Sequence, residues 1–483
     1  MRKNRLLTLL LAAMLLTTAC ATGETAETET TAADTAAVET EPVETEIKDS
    51  LPEADLEGYA YRMLIFGDAE RLAQTWSEEL NGEIINDAVY NKLTRVEERF
   101  NTEITNNDNL GVVDSVDVAK QTILAGDDAF DLVQGHDISM AQASMQSLFY
   151  NLYDVPYLDF SMPWWPEATT ESMTVAGQMY MMFNNISYNN LAQTRIMFFN
   201  KEMMTDMGLE FPYQQVYEGS WTLDSMLSLV EQGYVDTNGD GKKDDGDKFG
   251  YISPKYFYAV MEPFKLEPYQ RDENGNLFYN LDLDRMMTLT EKYYALLFGN
   301  GGYVSAAGDN TFEIFSEGRS MFVYAPFSNA ITKFSYGDVV YGILPMPKLD
   351  EMQDGYYGGS TDRPLAIPVT AMSHLETTGL VTEALNVEGY KLVFPAYYET
   401  AMKSRYADQS DDATMMELIH DNVIISFTYL FGEYKSAYNI MFENLFAAST
   451  PSTDVASWAA KNEKSQIAHV EKLQKFFDEH KAE

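Results

Sequence analysis

The chain is expected to adopt an α/β fold whose sheets are mixed but mostly parallel and flanked by helices. Three observations carry that expectation. From Tyr61 onward, short apolar runs of strand length alternate with amphipathic stretches of helix length, the rhythm of βαβ units. The 483 residues, 45% hydrophobic and 13% aromatic, suffice for two domains with separate cores. Finally, Ile196-Met197-Phe198-Phe199 steps directly into Asn200-Lys201-Glu202, a buried strand running into a helix start.

The first twenty residues are read as a targeting segment rather than as part of the fold. Arg2, Lys3 and Arg5 supply a positive start, and 6–16 an apolar stretch too short to span a bilayer. Thr17-Thr18-Ala19 then lead to Cys20, the only cysteine, which stands where a bacterial lipoprotein carries its lipid. Thr17 departs from the commoner Leu, and the alternative is an ordinary cleaved signal. With one cysteine no disulfide can form within the chain, so the folded part relies on its core. Residues 21–50 are Thr, Ala and Glu with almost no large apolar side chain, and read as an acidic, disordered tether that suits a Gram-positive envelope.

Residues 61–66 form the first expected strand, ending at Gly67-Asp68. Ile85, Val89, Leu93, Val96 and Phe100 recur at three and four residues, a helix stripe over 86–100. A helix near 118–124 stops at Gly126, and 130–134 reads as the next strand. In such sheets ligands sit beyond the carboxyl ends of strands, which singles out Asp68, Gln134, His136 and Asp137.

Farther on, Thr222 is a good N-cap, with Asp224 in the first turn and Leu223, Met226, Leu227 and Val230 on one face. The run 236–247 then has the ligand spacing of an EF-hand-type calcium loop. Asp236, Asn238, Asp240, Asp244 and Asp247 hold oxygen donors at loop positions 1, 3, 5, 9 and 12, Lys242 offers a backbone carbonyl, and Gly241 makes the turn. A structural Ca²⁺ is expected here, the alternative being a solvated Asp/Gly turn. Position 8 is Lys243, not the apolar residue of paired loops, and Asp247 is shorter than the usual Glu. A strand, 249–252, follows where an EF-hand would have a helix, so this is a lone loop and not a paired sensor.

The segments "FFNKEMMTDMGLEFP", "GSWTLDSMLSLVEQG" and "DTNGDGKKDDGDKFGY" resemble the second lobe of extracellular solute-binding lipoproteins of bacterial ABC importers, family 1, the maltodextrin/sugar-binding class. "NGEIINDAVYNKLTRVEERFNTEI", "ILAGDDAFDLV" and "LYDVPYLDFSMPWWPEA" are similar to that family's first lobe, and "FEIFSEGRSMFVYAPF", "YGDVVYGILPMPK" and "YYGGSTDRPLAIPVTA" to its later motifs. The resemblance spans about residues 55 to 450 and is specific in the order of its motifs. It implies a two-lobed periplasmic-binding-protein-like fold (class II) with hinge crossovers. The lobes would be 52–188 plus 362–408, and 189–361 plus 409–483. It also implies a carbohydrate ligand, binding without catalysis, and importer membrane subunits as partners.

A formal net charge of −42 argues against nucleic acid or an anionic surface as partner. Five histidines form no HExxH pair, and no G-x-S-x-G, Walker loop or dinucleotide fingerprint occurs. Acidic residues are too many for chance carboxylate pairs to be informative, so a secreted carbohydrate-active enzyme stays as the alternative, with a surface receptor for a sensor kinase beside it. A sugar site wants flat aromatic faces among planar polar groups. Candidates are Trp164 and Trp165, Tyr324 and Phe327, and Tyr357 beside Tyr356, with Trp76 after the first strand; each alone is more often a packing residue. Arg363, in a glycine-rich hinge stretch, donates to ligand or pairs with a carboxylate.

Overall fold

A computed structural model describes residues 48–67, 69–107, 114–255, 261–305, 310–361, 363–403, 410–432 and 438–481. The targeting segment, Cys20, most of the tether and Asp68 lie outside the described residues. No described helix is long and apolar enough to cross a membrane.

The strands are, in chain order, β1 (Tyr59–Leu64), β2 (Thr102–Asn107), β3 (Leu132–Gln134), β4 (Arg195–Asn200), β5 (Phe249–Pro254), β6 (Tyr269–Arg271), β7 (Leu277–Tyr279), β8 (Gly302–Ser305), β9 (Ser320–Pro326), β10 (Tyr341–Leu344), β11 (Gly358–Gly359), β12 (Leu365–Ala366) and β13 (Val423–Ile424). A four-stranded sheet runs β12-β3-β1-β2, and a five-stranded sheet runs β10-β4-β9-β5-β8. In the first, β1 is parallel to β2 and β3, and β12 closes the edge antiparallel. In the second, β9, β5 and β8 are parallel, while β4 and β10 are antiparallel. Helices flank both sheets, so the chain is a mixed α/β protein with two centres.

The elements follow their local chemistry. The helix Ile84–Phe100 turns Leu93, Val96 and Phe100 into the first core and Val89 into a small cluster with Val393 and Ala396, and Asn101 ends it in the left-handed region at φ 47°. Asn200 caps the helix Lys201–Asp206 by accepting the Met203 amide. Thr222 and Ser225 form a reciprocal capping box that starts Leu223–Val230. That helix meets the sheet closely: a Cβ on Gly250 would stand 2.0 Å from the Val230 carbonyl oxygen, so no side chain larger than hydrogen fits.

One core gathers on the first sheet and another on the second. The return from the second lobe is visible in β12, whose Leu365 and Ala366 pair with Gln134 and Val133. The segment 409–483, expected wholly in the second lobe, supplies residues to both cores: Met415, Phe442 and Val455 to the second, and Phe427, Val470, Leu473 and Phe477 to the first. The physical reason is the length of the helix Val455–Glu479, which reaches from one core to the other. Tyr397 and Ala401, expected in the first lobe, likewise lie in the second core. The hairpin β6–β7 interrupts the second lobe yet packs on the first. Tyr269 and Leu277 enter its core, Arg271 donates to the carbonyls of Thr174 and Ser172, and the Ala176 amide donates to Gly275.

Candidate functional site

The carboxyl ends of β1 and β3 and the residues just before β12 converge on one polar network. Gln134, the last residue of β3, donates to the Thr75 hydroxyl at 3.3 Å. Arg363 donates to the side-chain oxygens of Gln74 (2.7 Å) and Asn189, and its guanidinium lies 5.5 Å from the centre of the Phe66 ring. The Gly135 amide reaches the Pro364 carbonyl, which sets Arg363 against the end of β3. His136 faces the same Phe66 edge-on at 6.4 Å, and its Nδ1 stands 3.1 Å from Asp137 Oδ1. Burial pushes the Asp137 pKa up, opposed by His136, the Ile138 amide and Arg363. Four expected site residues, Gln134, His136, Asp137 and Arg363, are therefore brought together. The side-chain amides of Gln74 and Asn189 are among the contacts of Arg363, and its charge also acts on Asp137.

Beneath the network sits a fully buried lysine. Lys92 donates to the carbonyls of Thr75 (2.9 Å) and Ile186 (2.6 Å), and burial pushes its pKa down to about 7. It fastens the loop after β1 to the chain just before the crossover. The Tyr188 amide donates to the Gln74 carbonyl, and the Tyr188 ring lies 5.0 Å from that of Tyr397. Tyr397 in turn meets Phe327 edge-on at 5.8 Å. A line of rings thus joins the second core to the network's floor.

The aromatic candidates are placed differently from the expectation of open stacking faces. Trp164 and Trp165 are 1% and 3% exposed and belong to the first core. Their indole N–H groups donate to Glu383, Trp164 at 2.7 Å and Trp165 at 3.1 Å, and burial raises the Glu383 pKa to about 7. Phe327 is 0% exposed and Tyr324 is buried in the second core. The reason is shared: each ring sits on or beside an element whose inner face must be covered, and the nearest apolar surface covers it. Tyr357 lies elsewhere, under Lys265 at 4.3 Å and donating to Asp354 at 3.0 Å.

The loop 236–247 turns through left-handed glycines, Gly239 at φ 74° and Gly241 at φ 75°. Its acceptors face inward to its own amides: Asp236 accepts from Gly239 and Gly241, Asp240 from Lys242, and Asp244 from Gly246. Asp247 is fully buried and accepts from Thr237 and the Tyr234 hydroxyl. The turn geometry fits a cation loop, but among the described residues no three His, Cys, Asp or Glu side chains converge closely enough to hold a metal.

No protein-family model matches the sequence, and no curated protein matches it. Solved structures do. The GacH receptor of Streptomyces glaucescens, solved unliganded and with acarbose, is 12% identical with a TM-score of 0.54, over 85% of this chain and 99% of that one. The fold is that of the two-lobed solute-binding proteins. A family 1 extracellular solute-binding protein from Bifidobacterium longum subsp. infantis gives 0.55 at 11% identity, over 84% of this chain and 99% of that one. The maltose/maltodextrin-binding domain MalE from Bdellovibrio bacteriovorus, bound to maltotriose, gives 0.51 at 14%, over 85% and 100%. At these identities the likeness speaks for the solute-binding fold alone.

Gln74, Asn189 and Phe66 are members of the network that sequence reasoning did not single out. Phe66 and Gln74 flank the strand-end Gly67-Asp68 that was singled out, which was the available signal. Asn189 stands at the expected 188/189 crossover, but that position did not say which side chains it would meet, because its partners depend on where the chain returns.

Proposed function

We propose that this protein is a lipid-anchored extracellular substrate-binding protein. It captures a neutral carbohydrate, an oligosaccharide, between its lobes and delivers it to the membrane subunits of an ABC importer. The observation that carries this reading is the network of Gln134, His136, Asp137 and Arg363 with Gln74 and Asn189, placed at the carboxyl edge of the first sheet where the crossover leaves. Amides, a guanidinium and a ring are the groups that recognise hydroxyls and C–H faces. The structural neighbours' ligands, acarbose and maltotriose, support the same class. The work is binding without catalysis: ligand stabilises the closed arrangement through contacts with both lobes.

The test is a thermal-shift and calorimetric screen over neutral oligosaccharides. A ligand at 100 times its dissociation constant should add about 2.7 kcal/mol to the native state. A screen with no shift and no heat, while peptides bind, removes the carbohydrate; new reducing ends over time would favour an enzyme.

The anchor is Cys20, with the protein on the outer face of the cell membrane. Cys20→Ser should release the protein into the medium or leave its precursor uncleaved, read by fractionation and immunoblot. A variant processed and retained like wild type would remove the anchor.

The loop 236–247 is proposed to take one structural Ca²⁺ through Asp236, Asn238, Asp240, Asp244, Asp247 and the Lys242 carbonyl. Its support is the spacing and the two glycine turns, with five carboxylates that repel one another when no cation is bound. Chelation should lower the melting temperature and leave saccharide capacity at low temperature intact. An identical melting curve in excess chelator, with no calcium found by metal analysis, would rule the ion out.

A further inference from the structure

Lys92 is 0% exposed, and among the described residues its ammonium bonds to no carboxylate: it donates to two backbone carbonyls, Thr75 at 2.9 Å and Ile186 at 2.6 Å. A buried cation without a counter-ion keeps a large desolvation cost, which two carbonyls offset only in part. Packing alone does not ask for it, because an unbranched apolar side chain such as methionine serves an irregular interior as well. What the ammonium adds is a join between two segments that both carry the network. On the first, the Thr75 hydroxyl accepts the Gln134 amide, and Gln74 accepts Arg363 on its side chain. On the second, Ile186 is held on both sides of its backbone, its amide by Asn184 Oδ1 at 2.9 Å and its carbonyl by Lys92. Farther along that segment, the Asn189 amide donates to Ser187 Oγ at 3.2 Å, and the Asn189 side chain accepts Arg363. The same two segments are thus bridged three times: by Lys92 through carbonyls, by the Tyr188 amide on the Gln74 carbonyl at 3.1 Å, and by Arg363 through side-chain oxygens.

We propose that Lys92 is a positioning residue for ligand capture: its ammonium sets the spacing between the turn at Gln74–Thr75 and the start of the crossover, and through that spacing the aim of Arg363. The proposal rests on the saccharide reading above and adds to it a residue that itself touches no ligand. Arg363 is held by one acceptor from each segment, so a change in their separation turns the guanidinium or frees it from one of them. A recognition group held loosely loses affinity although every contact group is still present. Because 186–189 leads into β4, the clamp also fixes the chain from which the second lobe departs.

The experiment compares wild type with Lys92→Met, Arg363→Met and the double variant. Each is titrated calorimetrically with maltotriose and with the tightest binder from the neutral-oligosaccharide screen, and its melting temperature is read without ligand. Lys92→Met keeps an unbranched apolar stem and removes the ammonium. It should melt close to wild type, because the desolvation cost leaves with the charge and offsets the two lost bonds. It should bind about tenfold or more weakly. In the Arg363→Met background the same change should cost far less, since a spacing that aims Arg363 no longer matters once Arg363 is gone. Lys92→Gln, which keeps N–H donors on a shorter neutral chain, should bind between wild type and Lys92→Met, and carries the same comparisons if the methionine variant does not fold. Wild-type affinity in Lys92→Met, a lowered melting temperature with affinity intact, or a loss that adds in full to that of Arg363→Met would each make Lys92 a packing residue and overturn the inference while the saccharide reading stands. If wild type binds no saccharide, the saccharide reading itself fails and takes the inference with it.

Discussion

Replacing Asp412 with alanine should cost about 3–5 kcal/mol of folding stability, the penalty for leaving one member of a buried ion pair alone. Asp412 Oδ2 stands 2.7 Å from Lys201 Nζ, and both side chains are 5% exposed. Its Oδ1 accepts from the Tyr213 hydroxyl at 2.5 Å and from the Ile343 amide at 2.8 Å. One carboxylate therefore holds three parts of the second lobe: the helix after β4, the helix Tyr213–Tyr217 and the edge strand β10. Removing it strands an ammonium, a phenol and an amide together. The pair as such need not add stability, because desolvation offsets most of the attraction. The double variant Lys201→Met, Asp412→Leu should accordingly be more stable than Asp412→Ala alone. Urea unfolding at pH 7 measures both. A loss under about 1 kcal/mol for Asp412→Ala, the size of a surface pair, would show the site to be solvated.

Trp165→Ala should act on the fold and not on the ligand. A free-standing sugar platform would lose about 1–3 kcal/mol of binding on truncation with little change in stability. Trp165 instead lies in the first core, 4.7 Å from the Phe160 ring and bonded to Glu383. Deleting it opens a cavity and leaves Glu383 with one indole donor, which should cost about 3–5 kcal/mol of stability. Phe327→Ala should behave alike in the second core, with an additional loss of edge contact to Tyr397. Chemical unfolding and saccharide titration of the folded variants separate the two effects. Affinity lost with stability intact would return these rings to the ligand.

The network was partly legible in the sequence because strand ends are. Gln134, His136 and Asp137 follow an apolar run, and the rule that ligands sit beyond carboxyl ends needs only that run. Arg363 stood out as a rare cation in a glycine-rich stretch. Its partners did not, because Gln74 and Asn189 are 115 residues apart in the chain and meet only when the crossover is in place. The aromatic faces failed to read for a complementary reason. Tryptophan and phenylalanine look the same in sequence whether they stack on a sugar or cover a helix, and burial is a property of the neighbours.

The sequence by itself determined the alternation of strands and helices, the helix start at Asn200, the cap at Thr222, the helix stripe over 86–100 and the tight turn at Gly241. All of these depend on contacts within a few residues, where spacing alone fixes geometry. Only the tertiary structure decided that the hairpin β6–β7 and the far half of Val455–Glu479 serve the first core, that Trp164 and Trp165 share Glu383, and that Arg363 meets Gln74 and Asn189. Each of these joins residues distant in the chain, and no periodicity within a segment records which distant surface will cover it.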